Sequence, residues 1–472
     1  MKKTAIFGAS GGGRKVAQTL DSYGISYDCF VDNNKEKWGT FYEQTPIIAP
    51  EELKNDDYQI IIASEHQAEI EQQLEQMGLL DRLILKEDLI LPCVRKQKEA
   101  LKKEYNGKQV SLKKERTVII DLSEGVQLGG IETWSYMIAG MFQTEQIPVE
   151  VWARKTKMDP PEEIAALFRY YPIEYCDFSD NVSKLAKELI QKAPCSVLVN
   201  KQTQLMYAAI LAKEICGEEA ITIVSVIHSD NVAFYRRHKR IENYLDHVCC
   251  VSKTIKDKAT KEYHMNDKKV SYHATPVTLK NQYIVHQYTK KPADSLQIGY
   301  AGRIETYAKR LDLLVPLLKE LEKSRCNYHL TLAGDGSYLP ELKKMIQKEC
   351  WCDRVTFLGK IPHEKMEEFW ITKDVFLSVS EYEGSSMAAL EAMGCGAIPV
   401  ETKVSGVEEF VVPGENGFYV NVGDVKQLAC YIYEIEQHRE RLADMGQACR
   451  DVIKRKCDPK DYVAYLRKWL SI

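Results

Sequence analysis

The chain has 472 residues, too many for one ordinary hydrophobic core, so two or three domains are expected. With 44% hydrophobic and 28% charged residues and a formal net charge of −4, it is a globular composition with no global drive toward nucleic acid. No apolar run reaches bilayer length, the N-terminus lacks a signal peptide's apolar core, and the 14 scattered cysteines form no CxxC pair; free thiols in a cytoplasmic protein are expected.

From end to end, β-branched runs alternate with amphipathic stretches, the rhythm of α/β units with parallel sheets. The first, "KTAIFGASGGGRKVAQTL", reads as strand, glycine turn and helix. Gly8, Gly11, Gly12 and Gly13 would let backbone N–H groups and a helix N-terminus approach a phosphate. "YDCFVDNN" follows as a second strand ending in Asp32, an acceptor for ribose hydroxyls. A tight turn that binds nothing is the alternative. No Tyr-x-x-x-Lys dyad precedes residue 94, which argues against a short-chain reductase. Residues 94–115 are charged and nearly core-free, suited to a helical or flexible connector.

The second unit opens with "VIIDLSEGVQLGGIETWSYMIAGMFQ", a strand, then Gly129 and Gly130 at the start of a helix. Paired glycines there admit a sugar or diphosphate, or simply cap the helix. His228 ends the strand of "VIHSDN". Residues 279–295 are polar, with Pro292 before a new strand. The units are therefore placed at 1–93, 116–280 and 292–455, with a last helical segment, 456–472, packing back onto the second unit.

In the third unit, "IGYAGRIETYAKRLDLLV" ends a strand at Gly302 and then supplies Arg303 and Lys309. Two cations at a strand's carboxyl end can neutralise a diphosphate leaving group without a metal. "LTLAGDGSY" sets Gly334, Asp335 and Gly336 at another strand end. "DVFLSVSEYEGSSMAALEAM" then reads as strand, loop and helix, capped by Ser385 or Ser386. Glu383 precedes the cap and can meet a sugar; Glu391, about two turns into the helix, can reach a ribose.

With these motifs in order ("GGIE", "VIH", "CVS", "AGRI…KR", "LAGDG", "VTFLG" and the Glu-x7-Glu "EGSSMAALE"), residues 116–455 resemble the retaining GT-B glycosyltransferases of the family 4 type. The glycine turn resembles the N-terminal nucleotide-sugar-binding domain of bacterial sugar acyltransferases. The resemblance implies an α/β chain in which a small Rossmann-like domain precedes two Rossmann-like domains facing a cleft. It implies donor-diphosphate contacts from Arg303 and Lys309 and a ribose contact from Glu391. It sets Glu383, Gly384 and the Ser385, Ser386 and Met387 amides against the sugar and phosphate, with His228 as the active-site histidine. Gly129, Gly130, Gly302, Gly334, Asp335 and Gly336 complete the donor side. No metal or other cofactor is expected. The donor is a nucleotide sugar, UDP-linked first and GDP-linked second. The acceptor is a saccharide or lipid-linked saccharide in bacterial surface polysaccharide or glycoconjugate synthesis.

Two departures stand out: Ser385-Ser386 replaces the usual phenylalanine-glycine, and "HATP", residues 273–276, replaces an asparagine-glycine. Residues 234–245, "FYRRHKRIENYL", are basic and aromatic enough to meet an anionic membrane, or form a solvated helix face. The rival functions are a nucleotide-sugar 2-epimerase, a catalytically weak binding partner, and a bifunctional enzyme.

Overall fold

The computed structural model describes residues 2–64, 66–105, 113–122, 125–126, 129–171, 178–201, 203–279, 286, 288–289, 291 and 293–472. Residues 106–112 of the connector and Pro292 lie outside the described residues.

Three sheets follow one another along the chain. The first has the order Phe41–Tyr42, Thr45–Ile48, Cys29–Val31, Lys3–Phe7, Tyr58–Ile62 and is parallel except for its terminal pair. The second runs Val270–Tyr272, His247–Cys250, Ile221–Ile227, Cys195–Val199, Thr117–Leu122, Val149–Arg154, Phe168–Tyr171, all parallel. The third, also parallel, runs Val355–Gly359, Tyr328–Ala333, Leu296–Ala301, Val375–Ser378, Ile398–Thr402, Phe418–Val420. Their central strands are mostly apolar because helices cover both faces; every residue of Ile221–Ile227 is buried.

The connector is less core-free than its charge suggests. Its first half belongs to the helix Lys86–Tyr105, and Val94 and Leu101 join Ile90 and Leu91 in the second unit's core. Helical spacing gathers these few apolar residues on one stripe and leaves the charges outside. The helix Pro459–Leu470 starts at Asp458, whose carboxylate accepts from the Lys460 N–H at 2.7 Å. It lays Tyr462, Val463, Leu466 and Leu470 into that same core, and Trp469 stacks on His247. In the crossing segment "HATP", Ala274 and Thr275 are buried, and Ala274 packs in a small core with Phe410, Cys449 and Ile453.

The basic segment 234–245 is taken up by the N-terminal unit. On the helix Val232–Ile241, Arg236 pairs with Glu71 and Arg240 with Asp88, while Arg95 donates to the Tyr244 hydroxyl at 2.7 Å. Acidic residues on two helices of the first unit meet this helix, so its charge is answered within the chain. Among the described residues no helix is long and apolar enough to cross a membrane.

Candidate functional site

Strand order creates a switch point in each of the last two sheets, where open α/β sheets leave a crevice beyond the strands' carboxyl ends. In the second sheet Thr117–Leu122 lies beside Cys195–Val199, and the chain winds outward from both. In the third the switch falls between Leu296–Ala301 and Val375–Ser378. The loop carrying Gly302, Arg303 and Lys309 leaves the first of these two strands, and the loop carrying Glu383 leaves the second. Residues 74 apart in sequence therefore meet: Lys309 Nζ lies 2.5 Å from Glu383 Oε1. Glu383 Oε1 also accepts from Ser380 Oγ at 2.9 Å, and Ser380 Oγ in turn accepts from Ser378 Oγ at 3.0 Å.

Three glycines of this site are dictated by close packing. A Cβ on Gly334 would lie 1.9 Å from the Gly302 carbonyl oxygen, and one on Gly336 2.3 Å from that of Ile304. These contacts dock the Arg303 loop on its neighbour, where the Ile304 N–H donates to Asp335 O at 2.9 Å. Gly384 is the third: its Cβ would lie 2.0 Å from the His228 carbonyl oxygen, in the other half of the chain. With Asp230 N–H donating to Glu383 O at 3.3 Å, the two switch points face each other directly.

Arg303 is the exposed member of the cation pair, with its side chain 60% accessible and Nη1 2.9 Å from Glu305 Oε2. Lys309 is held low by its neighbours: Glu381 N–H donates to Ala308 O at 2.8 Å, and Arg310 reaches Glu381 at 2.6 Å. Tyr307 stacks on Tyr382 and also meets His66 of the N-terminal unit edge-on at 5.8 Å.

The helix Met387–Cys395 is capped by Ser386, whose Oγ accepts from the Ala389 N–H at 3.4 Å. Ser385 is not the cap; its hydroxyl is buried without a hydrogen-bond partner among the described residues. Glu391 is the fifth helical residue, so it lies just over one turn in rather than two. Its Oε1 meets His363 Nε2 at 2.8 Å, a neighbour on the loop after Val355–Gly359 that the motif pattern left unnoticed.

Across the cleft, His228 is gripped by Asn200, Trp134 and the fold around them. Asn200 Nδ2 donates to the Asp121 carbonyl at 3.2 Å and to Ser135 Oγ at 2.9 Å, which turns its Oδ1 toward His228 Nε2 at 2.9 Å. His228 therefore carries its proton on Nε2 and leaves Nδ1 as an unprotonated acceptor. Burial pushes its pKa down to about 3, with the charges of Lys201 and His238 adding to the effect. The Trp134 ring meets it edge-on at 4.9 Å from the helix Gly130–Thr144, whose N-cap is Gly129. Asn200 was hidden in the sequence as one polar residue after an apolar strand.

In the first unit the glycines are again packed tightly: a Cβ on Gly12 would lie 2.2 Å from the Ala63 carbonyl oxygen, and one on Gly13 2.0 Å from that of Gly8. Gly11 is open. Asp32 braces the turn: its Oδ2 accepts from the Ala9 N–H at 3.1 Å and from Lys37 Nζ at 2.8 Å. A carboxylate at that strand end steadies the turn first. Among the described residues no group of three or more metal-ligating side chains comes together.

Residues 283–452 match the family described as Glycosyl transferases group 1, and residues 1–85 match that described as C2185-like, N-terminal. The phosphatidylinositol N-acetylglucosaminyltransferase gpi3 subunit of Schizosaccharomyces pombe is 29% identical over 165 residues, 35% of this chain and 36% of that protein. The chain thus spans little more than a third of that relative. N-acetyl-alpha-D-glucosaminyl L-malate synthase of Bacillus anthracis is 24% identical over 306 residues, 61% of this chain and 76% of that protein. Among solved structures, Anabaena Alr3699/HepE in complex with UDP-glucose is similar with a TM-score of 0.62 at 18% identity, covering 75% of this chain and 100% of that one. TarM of S. aureus aligns with a TM-score of 0.61 at 11% identity, over 76% of this chain and 99% of that one. The last two sheets form a GT-B fold, to which the first sheet is an addition.

Proposed function

We propose, from a group 1 glycosyltransferase domain at residues 283–452 set in a GT-B scaffold, that the chain transfers a sugar from a nucleotide-sugar donor to an acceptor in the cleft. The observation that carries this is the meeting of Lys309, Glu383 and the His228 loop where the two switch points face each other. An ammonium has three donors, so Lys309 can hold Glu383 and still offer N–H groups to a diphosphate. Arg303, exposed at the rim, supplies the second cation. The short helix Met387–Cys395 turns its first amides, beside the Ser385 hydroxyl, toward the same space. Glu391 takes the ribose, and Glu383 takes the sugar hydroxyls. Neutral His228 offers Nδ1 as a hydrogen-bond acceptor to a hydroxyl of the sugar or acceptor.

We place the reaction with the retaining, metal-independent transferases of the family 4 type. The bond between the anomeric carbon and the diphosphate oxygen breaks while the acceptor oxygen bonds on the same face. The acceptor proton passes to the leaving diphosphate. Arg303 and Lys309 stabilise the charge that develops there, the role a metal plays elsewhere. UDP-N-acetylglucosamine is the first donor to try, since both relatives named above carry an N-acetylglucosaminyl or acetyl-glucosaminyl group in their names; a GDP-sugar is the second choice. A saccharide or lipid-linked saccharide of a bacterial surface glycan is the acceptor class. For the first unit we keep a nucleotide site at the Gly8–Gly13 turn, with Asp32 and its partner Lys37 as the charged groups beside it.

A panel of UDP- and GDP-sugars, scored by released nucleoside diphosphate with and without acceptor, tests the reading. Release that requires acceptor supports it. Free epimerised sugar without acceptor would favour the 2-epimerase, and binding without release a catalytically weak partner.

A further inference from the structure

Beneath the Lys309–Glu383 pair lies a carboxyl group to which the motifs assign no part. Glu401 is on the strand Ile398–Thr402, where it pairs in register with Ser378. In a parallel pair such partners point to the same face of the sheet, so Glu401 stands beside the hydroxyl that begins the Ser378–Ser380–Glu383 chain. It is 2% exposed, and its Oε2 has no hydrogen-bond partner among the described residues. The next residue, Thr402, donates to Ser380 O at 2.5 Å, which ties this strand end to the Glu383 loop.

The groups that act on Glu401 come from three sides. They are Glu383 and Lys309 from the two switch-point loops, and Cys449 from the helix Leu442–Lys456. On the other neighbouring strand its register partner is Tyr419, whose hydroxyl turns to Glu408 at 3.5 Å. The helix Met387–Cys395 covers this region with buried Leu390 and Met393. One ammonium is thus asked to serve two carboxyl groups. Lys309 is committed to Glu383, and Glu401 has no cation of its own among these neighbours.

We propose that Glu401 is a positioning residue that works as a neutral acid, leaving Lys309 to balance Glu383 and the donor diphosphate alone. Burial, with the Glu383 charge adding, raises its pKa to about 8, so the neutral form prevails at pH 7. When Glu401 ionises, a second negative charge beneath the site competes for Lys309 and repels the diphosphate. Donor binding is therefore weakened progressively as pH rises through the range in which Glu401 ionises. The inference rests on the donor-site assignment made above.

Binding of UDP and GDP to the full chain, followed by calorimetry from pH 7 to pH 9, tests it together with the carboxyl titration of 13C-glutamate-labelled protein. In the wild type the preferred nucleotide should bind about tenfold more weakly at pH 9 than at pH 7. In Glu401→Gln the change should be less than about twofold. One glutamate resonance of the wild type should titrate above pH 7 and be missing from Glu401→Gln. An equal alkaline loss in both proteins, or a Glu401 carboxyl already ionised at pH 7, overturns the inference. If neither nucleotide binds the wild type at any pH, the donor-site assignment falls, while the resonance still decides whether Glu401 is neutral.

Discussion

Lys309 and Arg303 look equivalent in the sequence, but their surroundings separate what each contributes. The Lys309 and Glu383 side chains are 19% and 12% exposed, whereas Arg303 is 60% exposed. For unit charges ~3 Å apart at an effective dielectric of about 20, the attraction is roughly 5 kcal/mol. Removing one partner of such a buried pair leaves an uncompensated charge and costs about 3–5 kcal/mol. An exposed pair such as Arg303–Glu305 is worth about 0–1 kcal/mol. Lys309→Ala should therefore lower the melting temperature of the donor-side half by roughly 6–20 °C, taking about 2–4 °C per kcal/mol for a unit of this size. Arg303→Ala should leave it nearly unchanged. Both should weaken binding of the nucleoside diphosphate at least about tenfold, each losing a charge-assisted contact of ~1.5–3 kcal/mol. Adding Glu383→Gln to Lys309→Ala should restore more than half of the lost stability, because the orphaned charge is gone. Scanning calorimetry of the four proteins, with titration of UDP, measures both effects. If Lys309→Ala melts with Arg303→Ala, or the double variant is no more stable than the single, the buried-pair account is wrong.

The two glutamates should also part company. Glu391→Gln should raise the donor KM and weaken nucleotide binding, while Glu383→Gln should mainly depress kcat; steady-state kinetics with nucleotide titration would expose a reversal. Burial pushes His228, His238 and His247 down to about 3, 4 and 3. Unfolding lets each take up a proton below its ordinary 6.5, so this contribution to stability is complete above pH 6.5 and is lost as pH falls toward 3–4. The loss should be about 1.4 kcal/mol per pH unit per histidine, and since burial pushes His286 down to about 4 as well, urea midpoints at pH 7.5 and 5.5 should converge by about a quarter in His247→Asn. Reversing Arg236 and Arg240 to glutamate together should speed amide exchange in the helix Gln67–Gln76 several-fold, since two ion pairs holding the first unit become repulsions. Exchange as slow as in the wild type would place the hold elsewhere, in contacts such as the Tyr23–Tyr207 edge at 6.3 Å.

Much of this protein is written locally. Strands such as Ile221–Ile227 are legible because six of seven consecutive residues are apolar or β-branched, which suits a sheet covered on both faces. Glycine, serine and charged residues clustered after those strands mark the loops that meet at the candidate site, and the helix after Ser386 is announced by its own cap. What the local pattern cannot express is which strand lies beside which. Lys309 meets Glu383 because the chain reverses its winding direction between Leu296–Ala301 and Val375–Ser378. Nothing within the loops themselves records that neighbour. Asp32 as a brace for the glycine turn, Asn200 as the holder of His228, and the acidic partners of the basic helix are likewise long-range contacts. So is Glu401, which reads in sequence as one more charged residue and becomes a buried acid only when two strands pair in register. Local periodicity sets the elements because it depends on a few bonds of chain; charge, burial and protonation depend on neighbours that only the packed fold supplies.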